Sequence, residues 1–313
     1  MKILMVALGY LPIPPERYGG IESVIWETTV RLRERGHQVD IINANKHRVM
    51  REVLRAGKYD FVHCHHERGL SRVMLGNLGR AKVIATTHRG YFFDSLDTDA
   101  HKCLRMTARA PHIVALRQDV ADNLACRNPR AKILVLPNGT DTKRFRQHDQ
   151  GNGRAICLGI LSQGKRPHLV EKACIEAGVP CDFVGPKKDA TLANPASWLG
   201  EWTREQIYEN LGAYSLLVML SKREGGGPPL VVAEAMAAGL SVVLSPPCSA
   251  NLDVDKPFIH VTSDKSASQT IRQAIAASEQ FRGAARTYAT QNFDWDQIVA
   301  RYEAQLTIWL GTS

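Results

Sequence analysis

Apolar residues along this chain come in short continuous runs, and each run closes on glycine, proline or a polar cluster. Residues 2–8 (KILMVAL) form the first such run. Apolar on both faces, it has the pattern of a strand buried between helix layers in a parallel sheet. Residues 21–35 then place Ile21, Val24, Ile25, Thr28 and Leu32 on a helical period, and Gly36 stops the helix. Residues 37–43 (HQVDIIN) read as the next strand. Strand, glycine loop, helix and strand make a βαβ unit, whose right-handed crossover puts the loop holding Gly19-Gly20 at the carboxyl edge of the sheet. Residues 59–63, 82–87, 112–116 and 132–136 are further strands, separated by helix-like or loop-like sequence. The polar stretch 146–154 (RQHDQGNGR) reads as a linker, and beyond it the pattern restarts. A strand at 155–161, a loop with Gly164-Lys165, a helix at 168–177 and strands at 181–184, 216–220 and 240–244 repeat the architecture. The fold class expected is α/β, with two doubly wound domains at 1–148 and 153–295, which suits a chain of 313 residues. Ile298, Tyr302, Leu306 and Trp309 recur at helical intervals near the end and read as a packing stripe.

Composition narrows the class. Hydrophobic residues at 44% and charged residues at 23% are ordinary for a soluble globular protein and argue against extended disorder. Seven scattered cysteines, odd in number and without CxxC spacing, suit a reducing cytoplasm rather than a disulfide framework. The opening MKILMVALGYLPIPP is too short an apolar run, ending at prolines, for a signal peptide, and no run reaches membrane-spanning length. The net charge of +9 is uneven: residues 1–150 hold 25 basic against 15 acidic side chains, the remainder 15 against 16. A basic half draws nucleic acid, an anionic membrane face or an acidic substrate, although a solvated arginine-rich surface fits the same count. Nucleic acid is not expected as a partner, because no basic-aromatic interleaving or helix-turn-helix pattern accompanies the charge.

Candidate chemistry gathers at strand ends. Residues 221–244 (SKREGGGPPLVVAEAMAAGLSVVL) set Glu224, three glycines and two prolines before a helix-like segment holding Glu234. Backbone N–H groups at a helix start can meet phosphate oxygens, while carboxylates accept protons from sugar hydroxyls. Gly19-Gly20 is either a phosphate cradle or a tight turn. His63-Cys64-His65-His66-Glu67 brings imidazoles together, but no second ligand set stands at a metal-site spacing, so no metal is expected. His88, after the strand at 82–87, falls on the sheet's ligand-binding edge.

In this order the motifs resemble the retaining GT-B glycosyltransferases of family 4 over nearly the whole chain. Gly19-Gly20 with Arg35-Gly36-His37-Gln38-Val39 looks like the family's opening loop and RGHxV element. Asp60 to His65 and Thr87-His88 fall at its next strand ends. Pro137-Asn138-Gly139-Thr140-Asp141 through Phe145 is similar to its PNGxDxxxF signature. The glycine-to-lysine loop 159–165, Trp198-Leu199-Gly200, the 221–225 segment and Glu234-Ala235-Met236-Ala237-Ala238-Gly239 follow.

The resemblance implies two Rossmann-like domains facing across a cleft, the second holding a nucleoside-diphosphate sugar, and a last helix at about 296–313 on the first. It implies sugar transfer to a glycan or lipid-linked acceptor with retention, a hexosyltransferase reaction of the kind that builds polysaccharides, without a metal or other cofactor. Lys165, Glu224 and His88 are then the candidate catalytic residues. Gly19, Gly20, Arg166, Gly226, Gly227, Pro228 and Glu234 are the candidate donor-binding residues. A cytoplasmic protein touching the anionic inner membrane face is the accompanying expectation.

Three departures stand out. Ile160 occupies the position of the family's arginine, leaving Arg166, Arg89 or Arg17 to replace it. Nine residues separate Glu224 from Glu234, a longer spacing than the family's, read as an expansion at Gly227-Pro228-Pro229. The chain is also short for the family. A nucleotide-sugar epimerase or hydrolase, or a sugar-nucleotide-binding protein with weakened catalysis, are the alternatives.

Overall fold

A computed structural model describes residues 1–15, 19–88, 98–224 and 227–311. In chain order it begins β1 (Lys2–Ala7), α1 (Gly20–Glu34), β2 (Gln38–Asn43), α2 (Val49–Arg55), β3 (Phe61–Cys64) and α3 (Glu67–Asn77). Then come β4 (Lys82–Thr87), α4 (Thr98–Thr107), β5 (His112–Ala115), α5 (Gln118–Arg127) and β6 (Lys132–Val135). These six strands form one parallel sheet in the order β2-β1-β3-β4-β5-β6. The reversal beside β1 is the topological switch point at which open α/β sheets place ligands. Side chains alternate across the sheet, so Leu4 and Val6 join one buried cluster while Ile3 and Met5 join the other. That two-sided burial is why β1 reads as a continuous apolar run.

The second series runs β7 (Ala155–Leu158), α6 (Pro167–Ala177), β8 (Cys181–Val184), α7 (Arg204–Asn210), β9 (Leu216–Met219) and α8 (Leu230–Ala237). It continues with β10 (Ser241–Leu244), β11 (Ile259–Val261), α9 (Ala267–Ala277) and α10 (Arg282–Phe293). Its five strands are again parallel, in the order β11-β10-β9-β7-β8. Two buried clusters cover the two faces of this sheet as well. The fold is therefore α/β with two parallel, doubly wound sheets. A final helix, α11 (Trp295–Gly311), packs Ile298, Val299, Tyr302, Leu306 and Trp309 into the first sheet's core. Arg31 with Asp296 and His37 with Glu303, at 3.1 and 2.6 Å, tie it to α1 and to the turn after it.

Contacts divide the chain into Met1–Asn138 with Trp295–Ser313, and Gly139–Asp294. The division falls ahead of the 146–154 stretch that composition marks as a linker. That stretch is fixed within the second unit: the Arg146 N–H donates to the Tyr208 carbonyl at 2.8 Å, and the Asn152 N–H to that of Ala213 at 2.8 Å. Arg286 Nη2 donates to the His148 carbonyl at 2.8 Å. Among the described residues, no helix is long and apolar enough to cross a membrane.

Candidate functional site

The carboxyl ends of the second sheet carry one set of candidate groups. The loops after β7 and β8 cross closely: the Leu161 N–H donates to the Pro186 carbonyl at 2.9 Å, and that of Lys188 to Leu161 at 3.0 Å. A Cβ at Gly185, whose φ is +133°, would stand 2.1 Å from the Gly159 carbonyl oxygen, so only glycine fits. This crossing fixes the loop that ends in Lys165. The Lys222 N–H reaches the Gly164 carbonyl at 3.0 Å and brings the segment after β9 alongside. As a result Lys165 Nζ meets Glu224 Oε1 at 2.5 Å. The lysine side chain keeps 31% of its surface exposed and the glutamate 9%, so the pair is open on its cationic side.

Arg166 is engaged differently. It caps α6 in a left-handed conformation (φ +53°), donates Nε–H to the Leu220 carbonyl at 2.6 Å and pairs with Asp264 at 2.7 Å. Its guanidinium thus holds two loops together, and the half-buried Ile160 brings no cation of its own. Gly227 takes φ +106° and is buried with Pro228, and Pro229 caps α8. Two successive prolines carry no N–H, and that of Val232 is spent on the Pro229 carbonyl at 2.8 Å. The α8 end therefore offers an anion fewer donors than its glycine run implies. Gly226, Arg17 and Arg89 lie outside the described residues.

Glu234, on α8, is 3% exposed. Its Oε1 accepts from Arg204 Nη1 at 2.6 Å, while its buried Oε2 has no hydrogen-bond partner among the described residues. Arg204 also donates to the Tyr208 hydroxyl at 2.9 Å. Burial works against the Arg204 charge, but Glu234 and Tyr208 outweigh it and raise the guanidinium pKa. Neither Arg204 nor Tyr208 stands out in the sequence reading. The capping box of Thr203 and Gln206 marks the start of α7, and Arg204 and Tyr208 then lie one turn apart on its face. Their partner thirty residues on the chain gives no local signal.

In the first unit, β3 and β4 bring histidines to the carboxyl edge of their sheet. His63, 3% exposed, exchanges hydrogen bonds of 2.7 Å with the Thr86 hydroxyl through Nε2 and with the Tyr302 hydroxyl through Nδ1. His65 lies against it, tilted by 30° with ring centres 4.0 Å apart, and stacks on His88, its Nδ1 lying 3.4 Å from His88 Nε2. Burial, and behind it a smaller repulsion from neighbouring imidazoles (His88 on His63, both of these on His65, His66 on His88), keeps all three neutral: His63 and His88 fall to about 3, and His65 well below its ordinary range. A cavity with about 30 Å³ of free volume adjoins His63, His65, Thr86, His88 and Asn138. His88 thus stands in a histidine and hydroxyl cluster that the sequence reading does not assemble.

Gly19, at φ +151°, precedes α1, and Gly20 is its first residue. The first turn also holds Glu22, 8% exposed, with its carboxyl pKa raised by burial. Glu22 Oε2 is the nearest atom, at 3.1 Å, to a Cβ built on Gly19. A carboxyl therefore lies beside the α1 end at which the sequence places a phosphate. Among the described residues no three His, Cys, Asp or Glu side chains are grouped to hold a metal ion.

Residues 43–144 match the family described as Glycosyltransferase Family 4. Sucrose-phosphate synthase from Thermosynechococcus elongatus superposes with a TM-score of 0.80 at 14% identity, covering all of both chains. Anabaena HepE, solved with UDP, gives 0.75 at 16% identity over 98% of this chain and all of that one. AviGT4, a glycosyltransferase involved in avilamycin A biosynthesis, gives 0.73 at 16% identity over 100% of this chain and 98% of that one. Among curated proteins none matches the sequence. The fold is that of the GT-B glycosyltransferases, and the resemblance to family 4 rests on the matched segment.

Proposed function

We propose that the chain is a glycosyltransferase that takes a sugar from a nucleoside-diphosphate sugar bound to the second unit and transfers it to a glycan or lipid-linked acceptor. The observation that carries this reading is the Lys165–Glu224 pair: two strand ends deliver a cation and a carboxylate to one point, with the cation open to solvent. Support also comes from HepE, a structure of the same fold solved with UDP-glucose.

Breaking the sugar–phosphate bond leaves a diphosphate with added negative charge, and its stabilisation is the largest single catalytic demand. In this reading Lys165 supplies that charge. A bound diphosphate competes with Glu224 for the ammonium, and the released carboxylate accepts hydrogen bonds from hydroxyls of the donor sugar. Glu234, with Oε1 held by Arg204, offers Oε2 to the ribose hydroxyls. His88 meets a hydroxyl of sugar or acceptor. Retention at the anomeric carbon and independence from metal belong to the same proposal, as does contact of the basic first half with an anionic membrane face.

A thermal-shift screen against UDP-, GDP- and dTDP-sugars tests it. A donor present at a hundred times its dissociation constant stabilises the folded state by about 2.7 kcal/mol. One nucleotide class is expected to raise the melting temperature, and no response to any of them contradicts the reading. The engagement of Arg166 by Leu220 and Asp264, with isoleucine at 160, favours a second reading in which the donor is bound but transferred slowly. A thermal shift without product, in the presence of an acceptor extract, selects that second reading.

A further inference from the structure

His65 is 3% exposed and has two unequal sides. Its Nδ1 lies 3.4 Å from His88 Nε2, while its Nε2 is buried and meets no hydrogen-bond partner among the described residues. The neighbouring His63 cannot serve it, because both nitrogens of that ring are already bonded to the Thr86 and Tyr302 hydroxyls. The adjoining cavity mixes apolar Val24, Val114, Leu116, Leu136 and Ile298 with Thr28, Asn138 and the two hydroxyls that His63 engages, yet none of these groups is hydrogen-bonded to His65 Nε2.

Two neutral imidazoles sharing one hydrogen bond leave two arrangements. If His88 donated from Nε2, the proton of His65 would sit on Nε2 as an orphaned buried donor, the rarest and among the costlier polar defects in a folded protein. If His65 donates from Nδ1, its Nε2 is left with only a bare lone pair. His88 must then accept at Nε2 and carry its own proton on Nδ1. We propose that His65 is a positioning residue, which donates Nδ1–H to His88 Nε2 and so fixes His88 as an Nδ1–H hydrogen-bond donor toward a ligand oxygen. The ligand group facing His88 is accordingly an acceptor, a hydroxyl, carbonyl or phosphoryl oxygen, and not an ammonium. That last step rests on the glycosyltransferase reading of His88; the tautomer does not.

Nitrogen NMR of the full chain labelled with ¹⁵N-histidine at pH 7.5 reads the tautomer directly, with the His88 signals assigned by their loss in His88→Asn. In the unaltered protein His88 is expected to be protonated on Nδ1 and bare on Nε2. His65→Phe keeps the stacked ring but removes the donor, and His88 is expected to shift toward the Nε2–H form. His65→Asn sets an amide N–H where Nδ1 stood, and is expected to restore the Nδ1–H form. In sugar transfer, His65→Phe should lower kcat about tenfold with the donor KM within about twofold, and His65→Asn should recover most of it. A proton on Nε2 of His88 in the unaltered protein overturns the proposal, as does an unchanged tautomer in His65→Phe. Should His65→Phe fail to fold, the spectra of the unaltered protein and His65→Asn decide: a His88 Nδ1–H in both supports the proposal, and an Nε2–H in either overturns it. Transfer with the wrong tautomer removes only this proposal, whereas the expected tautomer without transfer removes only the transferase reading.

Discussion

Acid should loosen the first unit through His63. The ring is 3% exposed, and burial, with a smaller contribution from His88, lowers its pKa from an ordinary 6.5 to about 3. Between those values the unfolded chain carries a proton that the folded ring does not, so stability is fully present above pH 6.5 and is lost as pH falls toward 3. Going from pH 7.5 to 5.0 removes about 2 kcal/mol through this one residue. His65 and His88, shifted the same way, add to the loss. His63→Gln does not titrate, yet retains a donor and an acceptor for the Thr86 and Tyr302 hydroxyls. Because two units need not unfold together, the assay should be local: amide hydrogen exchange of β3 and β4, corrected for intrinsic rates, at pH 7.5, 6.5 and 5.0. The variant is expected to lose about 2 kcal/mol less protection over that range than the unaltered protein. Equal losses in the two proteins would show that His63 is not held neutral, and the reasoning would fail.

Arg204→Met strands the buried Glu234 carboxylate and should cost about 3 kcal/mol in urea unfolding, with Glu234→Gln added to it recovering most of the loss; independent, additive effects would contradict the pairing. Gly185→Ala drives a methyl against the Gly159 carbonyl at a strained φ and is expected to cost about 3 kcal/mol or more, whereas Gly178→Ala, with nothing within 4 Å, should bear only the conformational penalty; similar melting temperatures for the two would be contrary. The basic first half predicts flotation with phosphatidylserine vesicles at low salt and release as salt rises, and no association even at low salt would remove the membrane contact.

Much of the scaffold is legible because burial on both sheet faces writes itself as apolar runs: β4 spans 82–87 and β8 spans 181–184, as their runs imply. β11 escapes, since Ile259–Val261 is a three-residue edge strand with Val261 exposed, too short for periodicity to register. The 146–154 stretch has the polar composition of a linker but is pinned by Arg282, Arg286 and Glu279, partners more than a hundred residues away in sequence. Site legibility follows the same rule. Lys165, Glu224 and Glu234 each sit in a local motif, so they could be named, while their pairing could not. Arg204 against Glu234 and His65 against His88 arise only when separate strands and helices pack, and no spacing announces them. Between the glycine run and α8, Pro228 and Pro229 carry no N–H, and at α1 the Glu22 carboxyl lies beside Gly19.

In the proposed reading, Lys165 and Glu234 hold the donor for sugar transfer. The direct measurement is the rate of transfer from the nucleotide sugar selected by thermal shift, to an acceptor extract, by the unaltered protein, Lys165→Ala and Glu234→Ala. Loss of the Lys165 cation should lower kcat/KM by about a hundredfold or more, the effect of removing one group that stabilises developing anionic charge. Glu234→Ala should chiefly raise the donor KM. Unchanged transfer in both variants would place the active site elsewhere.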